Sequence, residues 1–94
     1  MMRKAVRVLI HGHVQGVWYR GWTVDTARKR GLAGWVRNRK DGSVEAVFAG
    51  DVDALEAMIE AGRRGPDLAR VDAVERADVP DEGWTGFGQL PTTE

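Results

Sequence analysis

No cysteine occurs among the 94 residues. That excludes disulfides, thiolate metal sites and a phosphocysteine intermediate. No apolar run is long enough to span a bilayer. Met1-Met-Arg-Lys-Ala5 leads straight into an alternating pattern without the apolar stretch of a signal peptide. These absences fit a cytoplasmic chain with no membrane contact. Net charge is lacking too: 14 Lys/Arg balance 14 Asp/Glu, so the total charge selects no partner. The chain is too short for two independent cores, and its 43% apolar content argues against disorder. One domain over residues 1–94 is therefore expected, working as a monomer.

The charge that is present is unevenly placed. Residues 1–40 carry ten Lys/Arg against one acid, Asp25, whereas residues 41–94 carry four against thirteen. Such a split favours an anionic ligand on the first half. Equally, it fits two halves that interleave in space and neutralise one another.

Alternation of Val6, Val8 and Ile10 predicts a strand over residues 5–11. Residues 12–19 read as a loop. Residues 21–30 suit a helix with a thin stripe at Trp22 and Ala27, and Gly31 follows as its C′ residue. A second strand over 34–39 and a third over 43–49, the latter with Val44, Ala46 and Phe48 on one face, flank the hairpin signal Lys40-Asp-Gly42. Asp51 or Asp53 can cap the next helix, which places Val52, Leu55 and Ile59 on one side with Met58 beside them. Gly65-Pro66 stops that helix. Residues 70–79 form a fourth strand, and Phe87 to Leu90 an optional short fifth. The order β-α-β-β-α-β defines an α+β, ferredoxin-like sandwich: an antiparallel-type sheet with two helices on one face. That fold hosts enzymes and binding modules alike, so function rests on the site.

The chemistry concentrates between the first strand and the first helix. Gly12 and Gly16 permit backbone conformations closed to other residues and a close approach to a ligand. Successive N–H groups in such a loop can converge on an anion, and the first turn of a helix adds unpaired donors. Arg20 adds a planar fork that matches two phosphate oxygens. Together these make a phosphate cradle.

Gly12-His13-Val14-Gln15-Gly16-Val17-Trp18-Tyr19-Arg20 is similar, position by position, to the acylphosphatase signature. Gly31-Leu-Ala-Gly-Trp-Val-Arg-Asn38 resembles the second hallmark of that family. The Asp41-Gly42 turn and Val44-Glu45 fit as well, and a weaker likeness continues through Gly65-Pro66 and the strand of Val71 and Val74. The resemblance implies hydrolysis of an acyl phosphate to a carboxylate and inorganic phosphate, with no metal and no cofactor. It implies that Arg20 binds phosphate and that Asn38 positions the attacking water. The phosphoryl oxygens would rest on the loop of Val14, Gln15, Gly16, Val17, Trp18 and Tyr19. A neutral Asn38 cannot take a proton as a carboxylate does, but it can orient a water. That suffices where the leaving group is already a good one, because phosphoryl transfer through a loose transition state depends mostly on positioning and charge. Arg39 stands where some relatives carry a small hydroxyl residue.

Other residues have plainer readings. His11 and His13, with one residue between them and no nearby carboxylate in the sequence, are a weak metal signal and are expected to be non-catalytic. Trp18 and Tyr19 border the cradle and could shape its wall. Arg37, Arg39 and Lys40 read as solvated charges near the hairpin. Gln15 can either stabilise the loop or touch substrate. Two alternatives compete with hydrolysis of an acyl phosphate. One is a non-enzymatic ferredoxin-like module for anions or nucleic acid, supported by the basic first half with its tryptophans but lacking a base-stacking strand motif. The other is a phosphohistidine phosphatase using His11 or His13.

Overall fold

The computed structural model describes residues 2–92. In chain order its elements are β1 (Arg3–His13), α1 (Tyr19–Lys29), β2 (Ala33–Asn38), β3 (Val44–Asp51), α2 (Val52–Gly62), β4 (Arg70–Asp78) and β5 (Phe87–Gln89). The sheet order is β4-β1-β3-β2-β5. The β1–β3, β1–β4 and β2–β3 pairings are antiparallel. β5 runs parallel to β2, with Gly34 opposite Phe87 and Val36 opposite Gln89. The sheet is therefore mixed, not wholly antiparallel, because the chain crosses from the far edge strand β4 before joining β2.

Alternation decides which side of each strand meets the helices. Val6, Val8 and Ile10 of β1, Val36 of β2 and Val44, Ala46 and Phe48 of β3 are buried in one cluster with Leu55, Met58 and Ile59 of α2. Phe87 closes the cluster by stacking on Phe48, with ring centroids 5.5 Å apart. α1 contributes Tyr19, Thr23 and Ala27, spaced four residues apart along one face. Trp22, expected to lead the stripe, is only half-buried and packs on the rim.

α1 begins two residues earlier than the sequence indicates. Its N-cap is Trp18, in the left-handed region at φ 67° with no side-chain cap bond, a conformation that no Ser, Thr, Asn or Asp signal announces. Its C-terminus is as expected. Gly31 sits at φ 72°, Gly31 N–H donates to Arg28 O, and Leu32 N–H donates to Ala27 O; this is the paired-bond glycine stop. Asp51 occupies the N-cap position of α2 but makes no side-chain cap bond, so neither proposed aspartate caps through its carboxylate: Asp53 lies inside the first turn. Val52, counted on the apolar side, is only half-buried.

The two charge halves do interleave. β1 lies between β3 and β4, so first-half cations meet second-half acids: Arg3 with Asp81, Lys4 with Asp78, and Arg7 with Glu45. Arg37 and Arg39, read as solvated, also converge on Glu45. Glu45 lies on the sheet face opposite the helices, and its side chain is 4% exposed. Burial pushes its carboxyl up, but hydrogen bonds from Arg7 and Arg37 outweigh that and hold it below the usual carboxylate range.

Candidate active site

β1 runs two residues further than expected, through His13, and a bulge between His11 and Gly12 redirects it. Gly12 therefore lies within the strand, not in the cradle. It is at φ 133°, and a Cβ there would lie 2.1 Å from Arg70 O. Its lack of a side chain serves the close approach of β4, not of a ligand. The loop is residues 14–18. Val14 and Val17 are buried and anchor it from below. Gly16 at φ 76° and Trp18 at φ 67° supply two left-handed turns, which curl the backbone back toward the start of α1.

The first turn of α1 contains no acid, and no side chain caps it. Its first internal bond is Trp22 N–H to Trp18 O, so the N–H groups of Tyr19, Arg20 and Gly21 have no partner inside the helix. With the positive end of the helix dipole, they form a ready anion site. Arg20 is half-buried beside them. Among the described residues it has no hydrogen-bond or ion-pair partner, whereas several other first-half arginines are matched to acids.

Asn38 ends β2 and faces the same opening. It is buried, 9% exposed, and its Oδ1 has no hydrogen-bond partner. An orphaned buried acceptor costs about 1–3 kcal/mol and calls for an explanation; Arg39 Nε is a second buried atom without a hydrogen-bond partner among the described residues. Val14, Gly16, Trp18, Tyr19, Arg20, Gly21, Asn38 and Gln89 line one open cleft of about 240 Å³. The structure thus brings together Arg20, Asn38 and much of the loop.

Gln15 of the loop and Tyr19 at the start of α1 play parts that the sequence left open. Gln15 Nε2 donates to Arg39 O at 2.8 Å and to Ser43 O at 2.9 Å. Its amide thus ties the cradle to the hairpin that follows Asn38. Tyr19 is 2% exposed, and its hydroxyl donates to Gly62 O at 2.7 Å, locking α1 to α2. Burial pushes the Tyr19 phenol well above its ordinary pKa. His11 does have a carboxylate beside it, Glu75 at 2.6 Å across the β1–β4 ladder, while His13 is exposed. Among the described residues, no group of three or more His, Asp or Glu could hold a metal ion. Gln89 was not foreseen in the site; it arrives because β5 docks parallel to β2, and nothing in its local sequence announces this.

The fold and cleft define a ferredoxin-like α+β protein in which a glycine loop, Arg20 and an orphaned asparagine line one cleft. The acylphosphatase family profile matches residues 6–88. An acylphosphatase of Rhodospirillum rubrum is 56% identical over 89 residues, covering 95% of this chain and 98% of that one. The crystal structure of acylphosphatase from Bacillus subtilis superposes with a TM-score of 0.90 at 36% identity, covering 95% of this chain and 99% of the other. The structure of an acylphosphatase from Coxiella burnetii gives a TM-score of 0.91 at 31% identity, covering 94% of this chain and 93% of the other. The chain belongs to the acylphosphatase family, and it is a hydrolase of acyl phosphates.

Proposed function

We propose that the phosphoryl group of an acyl phosphate rests on the backbone amides of the 14–18 loop and the first turn of α1, with the Arg20 fork across two of its oxygens. Asn38 Oδ1 accepts a hydrogen bond from the attacking water. The water oxygen bonds to phosphorus as the bridging P–O bond breaks, and that electron pair leaves on the carboxylate. The proton of the water passes to a phosphoryl oxygen of the substrate. The protein supplies position and charge in a fixed frame, which is what a loose transition state rewards. No acid is needed, because the carboxylate leaves without protonation, and no metal enters the scheme.

The orphaned Oδ1 of Asn38 carries this assignment: a buried acceptor with no partner in the protein is held ready for a donor from outside. Turnover of acetyl phosphate in EDTA tests it. Arg20→Ala and Asn38→Ala are each expected to lower kcat on the order of 100-fold or more, as loss of a transition-state hydrogen bond does elsewhere. Wild-type rates in both variants would refute the assignment. Inorganic phosphate, the product, should compete with substrate in the wild type, and much less in Arg20→Ala.

We further infer that the chain acts as a monomeric single domain in the cytoplasm, without nucleic acid. The pairing of first-half cations with second-half acids supports this, since it dissolves the basic surface that nucleic acid would need. Among the described residues, no helix is long and apolar enough to cross a membrane.

A further inference from the structure

The chain has three carboxamide side chains, Gln15, Asn38 and Gln89. Gln15 is committed to Arg39 O and Ser43 O. The other two line the cleft. Gln89 stands opposite Val36 in the parallel β2–β5 register, and Leu90 N–H donates to Val36 O at 2.8 Å. Phe87, two residues earlier, is buried against Phe48 on the helix side of the sheet. Side chains two apart along a strand share a face, so Gln89 belongs to that side as well. The same rule leads from Val36 in the core to Asn38. With about 3.3 Å per residue along a strand and about 4.8 Å between strands, the α-carbons of Asn38 and Gln89 stand about 8 Å apart.

These two residues are the only part of the cleft lining that the sheet supplies; the loop and the first turn of α1 supply the rest. The loop and helix offer N–H donors and Arg20, which suit phosphoryl oxygens. The sheet wall offers two amide groups, and neither is spent within the protein. Asn38 Oδ1 has no hydrogen-bond partner. Among the described residues, the exposed side chain of Gln89 has none either. In-line displacement sets the attacking water and the leaving carboxylate on opposite sides of phosphorus. Asn38 marks the side of the water, and Gln89 lies on the same wall.

We propose that Gln89 is a second water-binding residue: its Oε1 accepts one hydrogen of the attacking water while Asn38 Oδ1 accepts the other. The inference rests on the reading of Asn38 as the residue that holds this water. A single acceptor fixes one O–H direction and leaves the water free to swivel about it. Two acceptors fix both hydrogens and so aim a lone pair of the water at phosphorus. Neither amide takes a proton. The water oxygen bonds to phosphorus, the bridging P–O bond breaks with its electron pair leaving on the carboxylate, and the surplus proton passes to a phosphoryl oxygen.

Methanol tests the pair, because it has one O–H and cannot satisfy two acceptors. Its oxygen bonds to phosphorus, the carboxylate leaves, and its proton passes to a phosphoryl oxygen, which yields methyl phosphate. Acetyl phosphate is turned over in a fixed methanol–water mixture by the wild type, Gln89→Leu, Asn38→Ala and Arg20→Ala. Phosphorus NMR counts methyl phosphate against inorganic phosphate, with the enzyme-free reaction subtracted. That ratio is set per turnover, so the fraction of folded protein does not enter it. Gln89 is exposed and β5 is held by backbone pairing, so leucine keeps the strand. In water alone, kcat of Gln89→Leu is expected to fall about tenfold, with inhibition by inorganic phosphate unchanged. The methyl-to-inorganic ratio should rise severalfold, since the second acceptor no longer favours water. A ratio within about twofold of wild type overturns the assignment whatever the rate. A lower kcat alone would then be structural, and weakened phosphate inhibition would place the amide on a phosphoryl oxygen. Wild-type rates in Arg20→Ala and Asn38→Ala would instead remove the site reading, and the proposal with it.

Discussion

Replacing Gln15 with leucine keeps the side chain's bulk and removes both of its donors. Its amide nitrogen bonds two carbonyls, of Arg39 and Ser43. Each carbonyl keeps a second partner, since Gly42 N–H donates to Arg39 O and Arg39 N–H donates to Ser43 O. The loss is therefore that of two ordinary hydrogen bonds, without orphaned acceptors, and amounts to about 1–3 kcal/mol. For a domain of this size, that lowers Tm on the order of 10 °C. The functional loss should exceed what stability alone implies. The tie spans from the loop to the hairpin just beyond Asn38, so under the proposed roles its loss moves the attacking water and the phosphorus out of line. Misplacement of that kind costs kcat about ten- to a hundredfold. If Arg20 binds phosphate as proposed, the affinity for inorganic phosphate should fall much less than kcat. Thermal melts, acetyl phosphate kinetics and phosphate inhibition on one preparation separate the outcomes. Unchanged Tm and unchanged kcat would refute the tie. A lower Tm with unchanged kcat would make it structural only. Loss of phosphate inhibition with normal Tm would place Gln15 against the substrate instead.

Three further outcomes follow from the packing. Gly12→Ala puts a methyl group into the Arg70 carbonyl at a backbone angle hostile to alanine; it should cost about 3 kcal/mol or more in urea denaturation, and a loss below about 1 kcal/mol would contradict the close approach. Tyr19→Phe removes the donor to Gly62 O in the core and should cost about 1–3 kcal/mol, measured in the same way, with substrate KM little changed. Glu45 has a lowered pKa in the folded state, so its contribution to stability is fully present above the ordinary glutamate value of about 4.3 and drains away as pH falls through the folded value. Melts between about pH 5 and 2 should therefore show Glu45→Gln losing less stability on acidification than the wild type, and parallel curves would contradict the Arg7–Glu45–Arg37 network.

Much of this architecture could be read from local pattern. The alternation of Val6, Val8 and Ile10 located β1, Gly31 marked the stop of α1, and Phe87 gave the short last strand. In each case the cause lies within a few residues. What escaped had causes elsewhere in the chain. Glu45 sits at an alternate position of a strand, which reads as solvent-facing; it is buried because β3 is central and because arginines from β1 and β2 fold over it. Tyr19 read as a loop residue because Trp18, with no capping side chain, starts the helix through an unusual backbone angle. Gly12 read as part of the cradle because nothing local reveals that β4 presses on it. The phosphate-binding role proposed for Arg20 could be argued from the glycine loop and the helix start, whereas the role proposed for Asn38 rests on the two family motifs taken together. Spacing alone could not place Asn38 opposite the loop, since that depends on β3 lying between β1 and β2.

The sheet order also sets the sequence of assembly. Val6 pairs with Phe48 on one side and with Asp78 on the other. β1, the cradle, α1 and the β2–β3 hairpin can associate once residue 51 is available, but the outer edge of β1 stays bare until β4 arrives from the far part of the chain. Pairings so distant in sequence fold slowly, because the intervening loop must close before any bond rewards it. In that interval the molecule carries a nearly finished cradle beside an open strand edge rich in Val, Leu and Ile, a surface that invites another chain to pair. Once Arg70–Asp78 covers that edge, the outer strand of the sheet is one whose mostly exposed side chains include five charged residues, the kind of edge that resists further pairing.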